Sequence, residues 1–304
     1  MRPREVQYPW NQMFPKLTPL STSRAALLLA LLLFAPAASF GQTAPTVSLD
    51  ATALVRRAVQ HRLDAAKNHH PLRYVLHRTD ERHDTTKVIV ETADGGVARL
   101  IAINSKPLPA DIDKAELQRL DDLAQHPELQ EHRRKSEQKD SNRVTHLLGL
   151  LPDAFLYHYE SMVACPSGQC YRLSFVPNPH FSPPDIEANI FRGIAGEVWV
   201  DQAQERLTRL DAHFIADIDF GFGILGKLNK GGTVLLEQTD IGGGDWELTN
   251  LKIHVTGKAL MVKSFSYHVA EETSHFSQVT PGLKYRDAIQ LLKKVDPSET
   301  PYTP

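Results

Sequence analysis

The sequence has no excess of charge of either sign. Its 304 residues include 34 Lys and Arg and 36 Asp and Glu, which gives a formal net charge of −2. Proteins that hold nucleic acids or anionic membranes electrostatically carry basic patches or stripes. The nearly balanced charge argues against such a surface, and we predict no nucleic-acid partner.

The sequence also has no apolar run long enough to cross a bilayer. The most apolar run, Ala25 to Phe34, is too short, because a spanning helix needs about 20 apolar residues. Arg24 precedes this run and small residues follow it, which is the pattern of a secretory signal peptide. We predict that residues 1–41 are a signal peptide and that cleavage follows Ala38 or Gly41. The mature protein is then periplasmic or secreted, and it is not transmembrane.

Cysteine is scarce, with two residues in the whole chain. Cys165 and Cys170 stand on either side of Pro-Ser-Gly-Gln, which favours a turn. This spacing is not the CxxC of redox and metal pairs. In the oxidising compartment that a signal peptide implies, we predict a disulfide across the mouth of a hairpin.

Motifs for metal and hydrolytic chemistry are missing. The sequence contains neither HExxH nor GxSxG. Its 14 histidines include one loose group, but a zinc site needs three or four converging ligands. We therefore predict no metal, no cofactor and no catalytic residue. The histidines of the loose group are His61, His69, His70, His77 and His83.

Two further patterns have a plain interpretation beside a functional one. Asp211, Asp217 and Asp219 alternate along one extended segment, and carboxylates spaced this way usually keep a strand face wet rather than act as an acid–base pair. Residues 221–226 match a GxGxxG string, but a dinucleotide site requires that string between a strand and a helix of a parallel unit. We interpret it as a wide turn.

The C-terminal half is the most regular part of the sequence. Leu210, Ala212 and Phe214 alternate with polar residues, and this period of two is typical of a strand with one buried face. Glycine-rich links at 230–232 and 242–245 suit the tight connections of an antiparallel meander. The five predicted strands are 196–201, 206–222, 233–241, 246–255 and 260–269.

The N-terminal half mixes helices with strands. Apolar residues at three- and four-residue steps predict helices, and period-two segments predict strands. These elements are a helix at 50–67, strands at 72–79, 86–92 and 97–104, a helical insertion at about 113–150 broken at His126-Pro127, a disulfide hairpin at 155–177 and a short helix at 285–294. We expect a single domain over residues 42–294 and a flexible tail at 295–304.

The order of these elements and three short motifs resemble a known superfamily. The motifs are Gly196 to Asp201, Arg206 to Leu210 and Asp245 to Leu248. They are similar to strands of the LolA/LolB-like superfamily of periplasmic lipoprotein carriers, which includes the RseB/MucB-like sensor domain. The resemblance implies an α+β fold, in which helices cover the concave face of a curved antiparallel sheet, an incomplete β-barrel. The helical insertion departs from the well-studied carriers.

A large apolar concave face requires a cover, since soluble proteins avoid exposing one. A loose cover would leave a lipid-sized pocket beneath it, whereas a tight one would make the same residues ordinary core. The predicted pocket consists of Phe214, Ile218, Phe220, Leu251, Ile253, Phe265 and Tyr267, with Leu147 and Leu148 of the helical insertion as part of the cover. Leu117, Leu120 and Leu150 are further candidates for that cover.

The predicted function is a non-enzymatic carrier or chaperone for a lipid, a lipoprotein acyl chain or another apolar ligand. Its partner would be a lipid or an acylated protein. The alternative is a sensor or scaffold module that binds another envelope protein through a sheet edge or the helical insertion. An enzyme of unknown class is the third possibility.

Overall fold

The computed structural model describes residues 49–67, 70–220, 226–242, 245–259 and 263–297. The predicted signal peptide, most of the 221–226 glycine string and the end of the predicted tail lie outside the described residues. Within the described part of the chain, no helix is both long and apolar enough to cross a membrane.

The helices lie where the sequence predicts them, with longer bounds in the insertion. The insertion forms two helices. The second begins at Pro127, and proline is favoured at the first position of a helix because its missing N–H would have no partner there. The described helices are α1 (Ala51–Lys67), α2 (Ala110–Gln125), α3 (Pro127–Ala154), a 3-10 helix (Glu187–Gly193) and α4 (Tyr285–Lys293).

The strands account for most of the remaining described residues. They are β1 (Leu72–Asp80), β2 (Asp84–Val90), β3 (Val97–Ile103), β4 (Lys106–Pro107), β5 (Phe155–Cys165), β6 (Gly168–Pro177), β7 (Ile194–Asp201), β8 (Leu207–Phe214), β9 (Ile218–Phe220), β10 (Gly226–Leu228), β11 (Thr233–Asp240), β12 (Trp246–Ala259) and β13 (Lys263–Gln278).

All of these strands belong to one open antiparallel sheet. Its order is β4-β3-β2-β1-β13-β12-β11-β8-β7-β6-β5, and β10 pairs with both β12 and β9. The two ends, β4 and β5, are not joined, so the sheet does not close into a barrel. The predicted fold class, α+β with an incomplete antiparallel barrel, is confirmed.

The single strand predicted at 206–222 is wrong, because the chain turns in the middle of it. β8 ends at Phe214 and β9 begins at Ile218. At the break, the Ile215 N–H donates to the Gly193 carbonyl at 2.8 Å. The Asp217 carboxylate accepts from the Lys230 N–H at 2.8 Å, which holds the turn. The alternation of apolar residues continues through the break, so the pattern alone does not reveal it.

Direct pairing across the strands defines the two faces of the sheet. Leu210 lies opposite Leu236, which lies opposite Leu251, and Leu251 lies opposite Glu271. Glu271 in turn pairs with Arg78. Residues directly opposite one another in antiparallel strands point to the same side. We call the side that these five residues share the inner face, and the other side the outer face.

Helix α1 and the C-terminal part of α3 lie on the inner face at the β5–β8 end. Leu210 packs against a cluster built from α1, β5–β8 and the 3-10 helix. Within this cluster, Leu54 and Ala58 of α1 are fully buried, and Leu147, Leu150 and Leu151 of α3 are half-buried. The period of the α1 apolar stripe therefore corresponds to its contact with the sheet.

Helices α2 and α4 lie on the outer face, at the β1–β3 end. Val75 packs with Leu120 of α2 and Ile289 of α4, whereas Tyr74 packs in a different cluster with Ile89. Adjacent strand residues point to opposite faces, and Tyr74 is on the side of Arg78. The helical cover is therefore divided between the two faces.

A buried arginine connects the outer-face helices to the sheet. Arg99 of β3 is 1% exposed. Its guanidinium donates to the carbonyls of Leu292 and Val295 and, at 2.7 Å, to the Asp113 carboxylate. A cation is favourable at a helix C-terminus because the last carbonyls carry partial negative charge. This contact joins β3, α2 and the end of α4.

Candidate functional site

The seven strand residues of the predicted pocket come together on one side of β8–β13. They form a cluster with Leu228, Leu248 and Val255. Five of them are 2–5% exposed, and Phe265 and Tyr267 are half-buried around them. The five buried residues are Phe214, Ile218, Phe220, Leu251 and Ile253.

The two helical residues of the predicted pocket lie elsewhere. Leu147 packs in the cluster of α1 and β5–β8, and Leu148 is half-buried on α3, outside the cluster of β8–β13. Leu120 packs against α4 on the outer face. The insertion therefore covers the ends of the sheet rather than its centre.

The cover that the sequence missed is the short β9–β10 hairpin together with the 3-10 helix. Ile218 and Phe220 of β9 and Leu228 of β10 pack onto β12, with Ile190 of the 3-10 helix beside them. Gly193 permits this close packing, because a Cβ there would lie 2.4 Å from the Ile218 side chain. The hairpin was hidden in the sequence by the strand break at 215–217.

A continuous line of apolar side chains on the inner face remains half-exposed. We call it the apolar strip, and it crosses the four central strands β8, β11, β12 and β13. Its half-buried members lie beside the fully buried Leu251 and Ile253. These half-buried members are Leu210, Val234, Leu236, Phe265 and Tyr267.

A buried acidic cluster lies where β12 begins, close to α1 and β1. Glu247 of β12 is 0% exposed, and neither of its carboxylate oxygens has a hydrogen-bond partner among the described residues. Burial raises the pKa of Glu247 to about 9, while the charge of Arg62 acts against that rise. Asp245 and Glu91 raise it further through their charges. Glu247 is therefore a neutral acid at pH 7.

The partners of Glu247 come from three other segments of the chain. Arg62 lies near the end of α1, and its pKa is lowered by burial. Glu91 follows β2 and accepts the Leu72 N–H at 2.9 Å. Tyr74 of β1 is buried beside them, and desolvation raises its pKa well above the ordinary value. We call Arg62, Glu91, Asp245 and Glu247 the acidic cluster.

The sheet opens next to the acidic cluster. The pairing of β12 with β13 ends at Asn250 and Glu272, although β12 begins at Trp246 and β13 continues to Gln278. Along this stretch β13 pairs with β1 alone and carries a bulge, where His275 has a φ of 55°. Glu247 therefore lies on a strand segment that has lost its neighbour on one side.

The cysteine pair is structural. Cys165 and Cys170 form a disulfide across the β5–β6 turn, as predicted. Within the described residues, these two sulfurs and Asp201 are the one group of three possible metal ligands that lie within 4.8 Å of one another. A sulfur in a disulfide is not a thiolate ligand, so this group does not form a metal site.

The three alternating aspartates do not form a site. Asp211 lies on the outer face, where Arg209 donates to it at 2.8 Å. Asp217 is in the turn after β8 and pairs with Lys227 at 2.7 Å. Asp219 lies on β9, opposite Lys227 of β10. The strand break separates these carboxylates, which removes the paired arrangement that acid–base work requires.

No protein-family model matches the chain, and no curated protein matches it. Solved structures do match. One is described as an outer membrane lipoprotein-sorting protein domain from Vibrio parahaemolyticus, with 11% identity, a TM-score of 0.31 and coverage of 80% of this chain and 97% of that chain. Another is a DUF1329 family protein from Desulfovibrio piger, with 12% identity, a TM-score of 0.28 and coverage of 80% and 99%.

This chain is similar to both structures, and the first is named for the class of protein that the sequence resembles. Both TM-scores are low. The description of the fold therefore rests on the strand pairing of this chain itself.

Proposed function

We propose that the mature protein is an exported, non-enzymatic carrier or chaperone that binds an apolar ligand, such as a lipid or the acyl chain of a lipoprotein, along the apolar strip. The proposal includes a periplasmic location. A disulfide supports it, because disulfides persist in oxidising compartments.

One observation carries the proposal. Leu210 and Leu236 lie opposite each other in the middle of the sheet, on the face whose two neighbouring clusters are buried, yet both are only partly buried. The helices that contact the inner face lie over β5–β8, and α2 and α4 lie on the outer face. The 3-10 helix and the β9–β10 hairpin pack against part of this apolar surface, and the part without an α-helix over it suits a ligand that completes the core.

Burial of alkyl groups would supply the binding energy. Each buried CH₂ contributes about 0.8 kcal/mol, and the effect has no directional requirement. A strip made of aliphatic and aromatic side chains therefore selects for chain length more than for chemical detail. Binding by burial of alkyl groups requires no catalytic group.

Neighbouring residues on β11 provide a matched test. Leu236 points to the inner face and Leu235 to the outer face, where it lies opposite Asp211 and Lys252. Both are half-buried. We expect Leu236→Gln to weaken uptake of a fluorescent fatty acid about tenfold or more, whereas Leu235→Gln leaves it within about twofold, since one side chain's apolar area is worth about 1.5–3 kcal/mol.

The measurement is a fluorescence titration, with native mass spectrometry of gently purified protein to detect a bound lipid. Circular dichroism checks that both variants fold. Equal loss of binding in the two variants, or no binding by the wild-type protein, would count against the proposal.

A second candidate function is supported by the unequal ends of the sheet. At the β3 edge, Glu116 of α2 accepts the Leu100 N–H at 2.8 Å and Arg119 donates to the Ala98 carbonyl at 2.6 Å, so these backbone groups are already occupied. At the other end, Leu156 of β5 and Val176 of β6 lie opposite each other and are 51% and 50% exposed. An edge of this kind suits strand addition by a protein partner.

Photo-crosslinking in cells separates the two candidates. A crosslinker at Leu156 would give a discrete envelope-protein adduct if β5 is a docking edge. The same crosslinker at Leu129 of α3, which is also 51% exposed, is the control. Identical adduct patterns at the two positions would count against docking at the edge.

A further inference from the structure

We propose that the acidic cluster is a head-group site that selects amphiphiles with a primary ammonium group. This inference rests on the proposed function, because it places the apolar tail of the same ligand on the apolar strip. It adds the charge and hydrogen-bonding class of the ligand, which the apolar strip does not specify.

The first support is an unmet hydrogen-bonding demand. Both carboxylate oxygens of Glu247 lack a partner among the described residues, and the side chain is fully buried. A buried polar group without a hydrogen bond costs about 1–3 kcal/mol, so such groups call for an explanation. An ammonium group carries three donors and no acceptor, which is the complement of a carboxylate.

The second support is the balance of charge. The cluster brings together three carboxyl groups, from Glu91, Asp245 and Glu247, and one guanidinium, from Arg62. An anionic head group would meet the carboxyl groups of Glu91 and Asp245 beside Glu247. A cationic head group would instead pair with Glu247 once the proton of that residue has left.

A bare divalent cation is a poorer fit. Among the described residues, the acidic cluster does not provide three ligand atoms that all lie within 4.8 Å of one another. A metal ion needs such convergence, whereas an ammonium group with three divergent donors can bridge more widely spaced acceptors.

The third support is the position of the cluster relative to the apolar strip. Arg62 of α1 acts on Glu247 through its charge, and α1 lies on the inner face. Leu251 of the cluster beneath the strip is four residues further along β12, which is about 13 Å in an extended strand. Glu247 pairs with Thr239, on the outer-face side of β12. The head group would therefore meet Glu247 at the opening between β12 and β13, and the tail would run from there along the strip.

Binding would be coupled to the release of a proton. With its pKa raised to about 9, Glu247 carries a proton at pH 7.5. When an ammonium group arrives, the carboxyl O–H bond breaks, the proton leaves to the buffer and the carboxylate pairs with the ammonium. Asp245, Glu91 and Arg62 are the other charged groups that act on Glu247, and Tyr74 is buried beside them.

Isothermal titration calorimetry of the mature protein tests the inference with three decyl probes: decylammonium, decanoate and decyl maltoside. We expect decylammonium to bind about tenfold or more tightly than decanoate, because a hydrogen bond to a charged group contributes about 1.5–3 kcal/mol. Titrations in phosphate and in Tris at pH 7.5 should show the release of up to one proton with decylammonium.

Glu247→Gln should remove both the preference and the proton release while decanoate still binds. Glu272→Gln is the matched control, since this exposed carboxylate on β13 lies opposite Asn250 and points to the outer face. It should behave like the wild-type protein. If Glu247→Gln fails to fold, the preference and the proton release of the wild-type protein decide the question.

The outcomes separate this inference from the function on which it rests. Equal affinity of the wild-type protein for decylammonium and decanoate, or binding of decylammonium without proton release, would overturn the head-group site and leave the carrier proposal standing. Absence of binding for all three probes would overturn both.

Discussion

Glu247 has surroundings that are unusual for a glutamate side chain. Glutamate is almost never fully buried without a partner, yet Glu247 is 0% exposed between Trp246 and Leu248, which are also buried. Four different segments contribute to its environment, including α1 and β1. The energetic consequence is a proton held far above the ordinary pKa of a carboxyl group.

That proton makes the stability of the protein depend on pH. The folded-state pKa of Glu247, about 9, lies above its unfolded value of about 4.3. Between these pH values the folded state binds more protons than the unfolded state. The contribution of protonated Glu247 to the free energy of unfolding is therefore complete below about pH 4 and is lost as the pH rises toward 9. Over this range the free energy of unfolding changes by at most about 1.4 kcal/mol per pH unit because of this group.

Glu247→Gln removes this titration. We expect the variant and the wild-type protein to have similar free energies of unfolding near pH 5, and the variant to be more stable by more than about 1 kcal/mol near pH 8. Urea unfolding followed by circular dichroism at several pH values measures the difference in free energy of unfolding between the two proteins. The effects of the other titrating groups cancel in that difference, because both proteins contain them. Parallel curves for the two proteins would show that Glu247 is ionised in the folded state.

At the scale of elements, contact between strands decides where glycine is required. Gly196 lies on β7 opposite Ala212 of β8, and a Cβ there would lie 2.0 Å from the Asp211 carbonyl oxygen. That contact is with backbone, so no side-chain rotation relieves it. Gly149 on α3 differs, because a Cβ there would meet nothing within 4 Å.

The two glycines therefore give opposite predictions for the same substitution. Gly196→Ala should destabilise the protein by about 1–3 kcal/mol or more, the usual effect of forcing atoms into a packed contact. Gly149→Ala should stabilise it by about 0.5–1 kcal/mol, since alanine is the better helix former. Chemical denaturation measures both changes. Similar effects of the two substitutions would contradict the close approach of β7 and β8.

The elements also differ in how well their sequence patterns described them. The alternation in 72–79 and 233–241 matched the bounds of β1 and β11 within a residue. The alternation in 206–222 was equally clear but predicted one strand instead of β8 and β9. A turn that preserves the order of buried residues leaves no trace in that pattern.

At the scale of the whole molecule, the open sheet leaves its two ends to be stabilised separately. Helices α2 and α4 cover the β1–β3 end, and α1 with α3 covers the β5–β8 end. The disulfide lies at the tip of the β5–β6 hairpin. It acts chiefly on the unfolded chain, whose entropy it lowers by closing a short loop.

Replacing both Cys165 and Cys170 with alanine should lower the free energy of unfolding by about 2 kcal/mol while the folded structure is retained. The denaturant midpoint and far-ultraviolet circular dichroism measure the two effects. Wild-type protein treated with a reductant is the control and should show the same midpoint. A loss of folded signal at zero denaturant would mean that the disulfide organises the hairpin rather than restricting the unfolded chain.

Local pattern was sufficient for most of the elements, the antiparallel meander and the disulfide, and it identified the seven strand residues that cluster on β8–β13. Each of these depends on residues close together in the chain, where strand and helix periods express which side is buried. The assignment of Leu147 and Leu148 to the same pocket does not follow from such a pattern, because the direction in which an insertion packs depends on distant strands.

Long-range pairing alone brought Arg62, Glu91 and Glu247 together, since they come from α1, the end of β2 and β12. The same pairing left Leu236 half-exposed and buried Glu247, although an isolated strand pattern treats a leucine as core and a glutamate as surface. Burial is a property of everything that packs around a side chain. A sequence period records which residues share a face, and the order of the strands determines what that face meets.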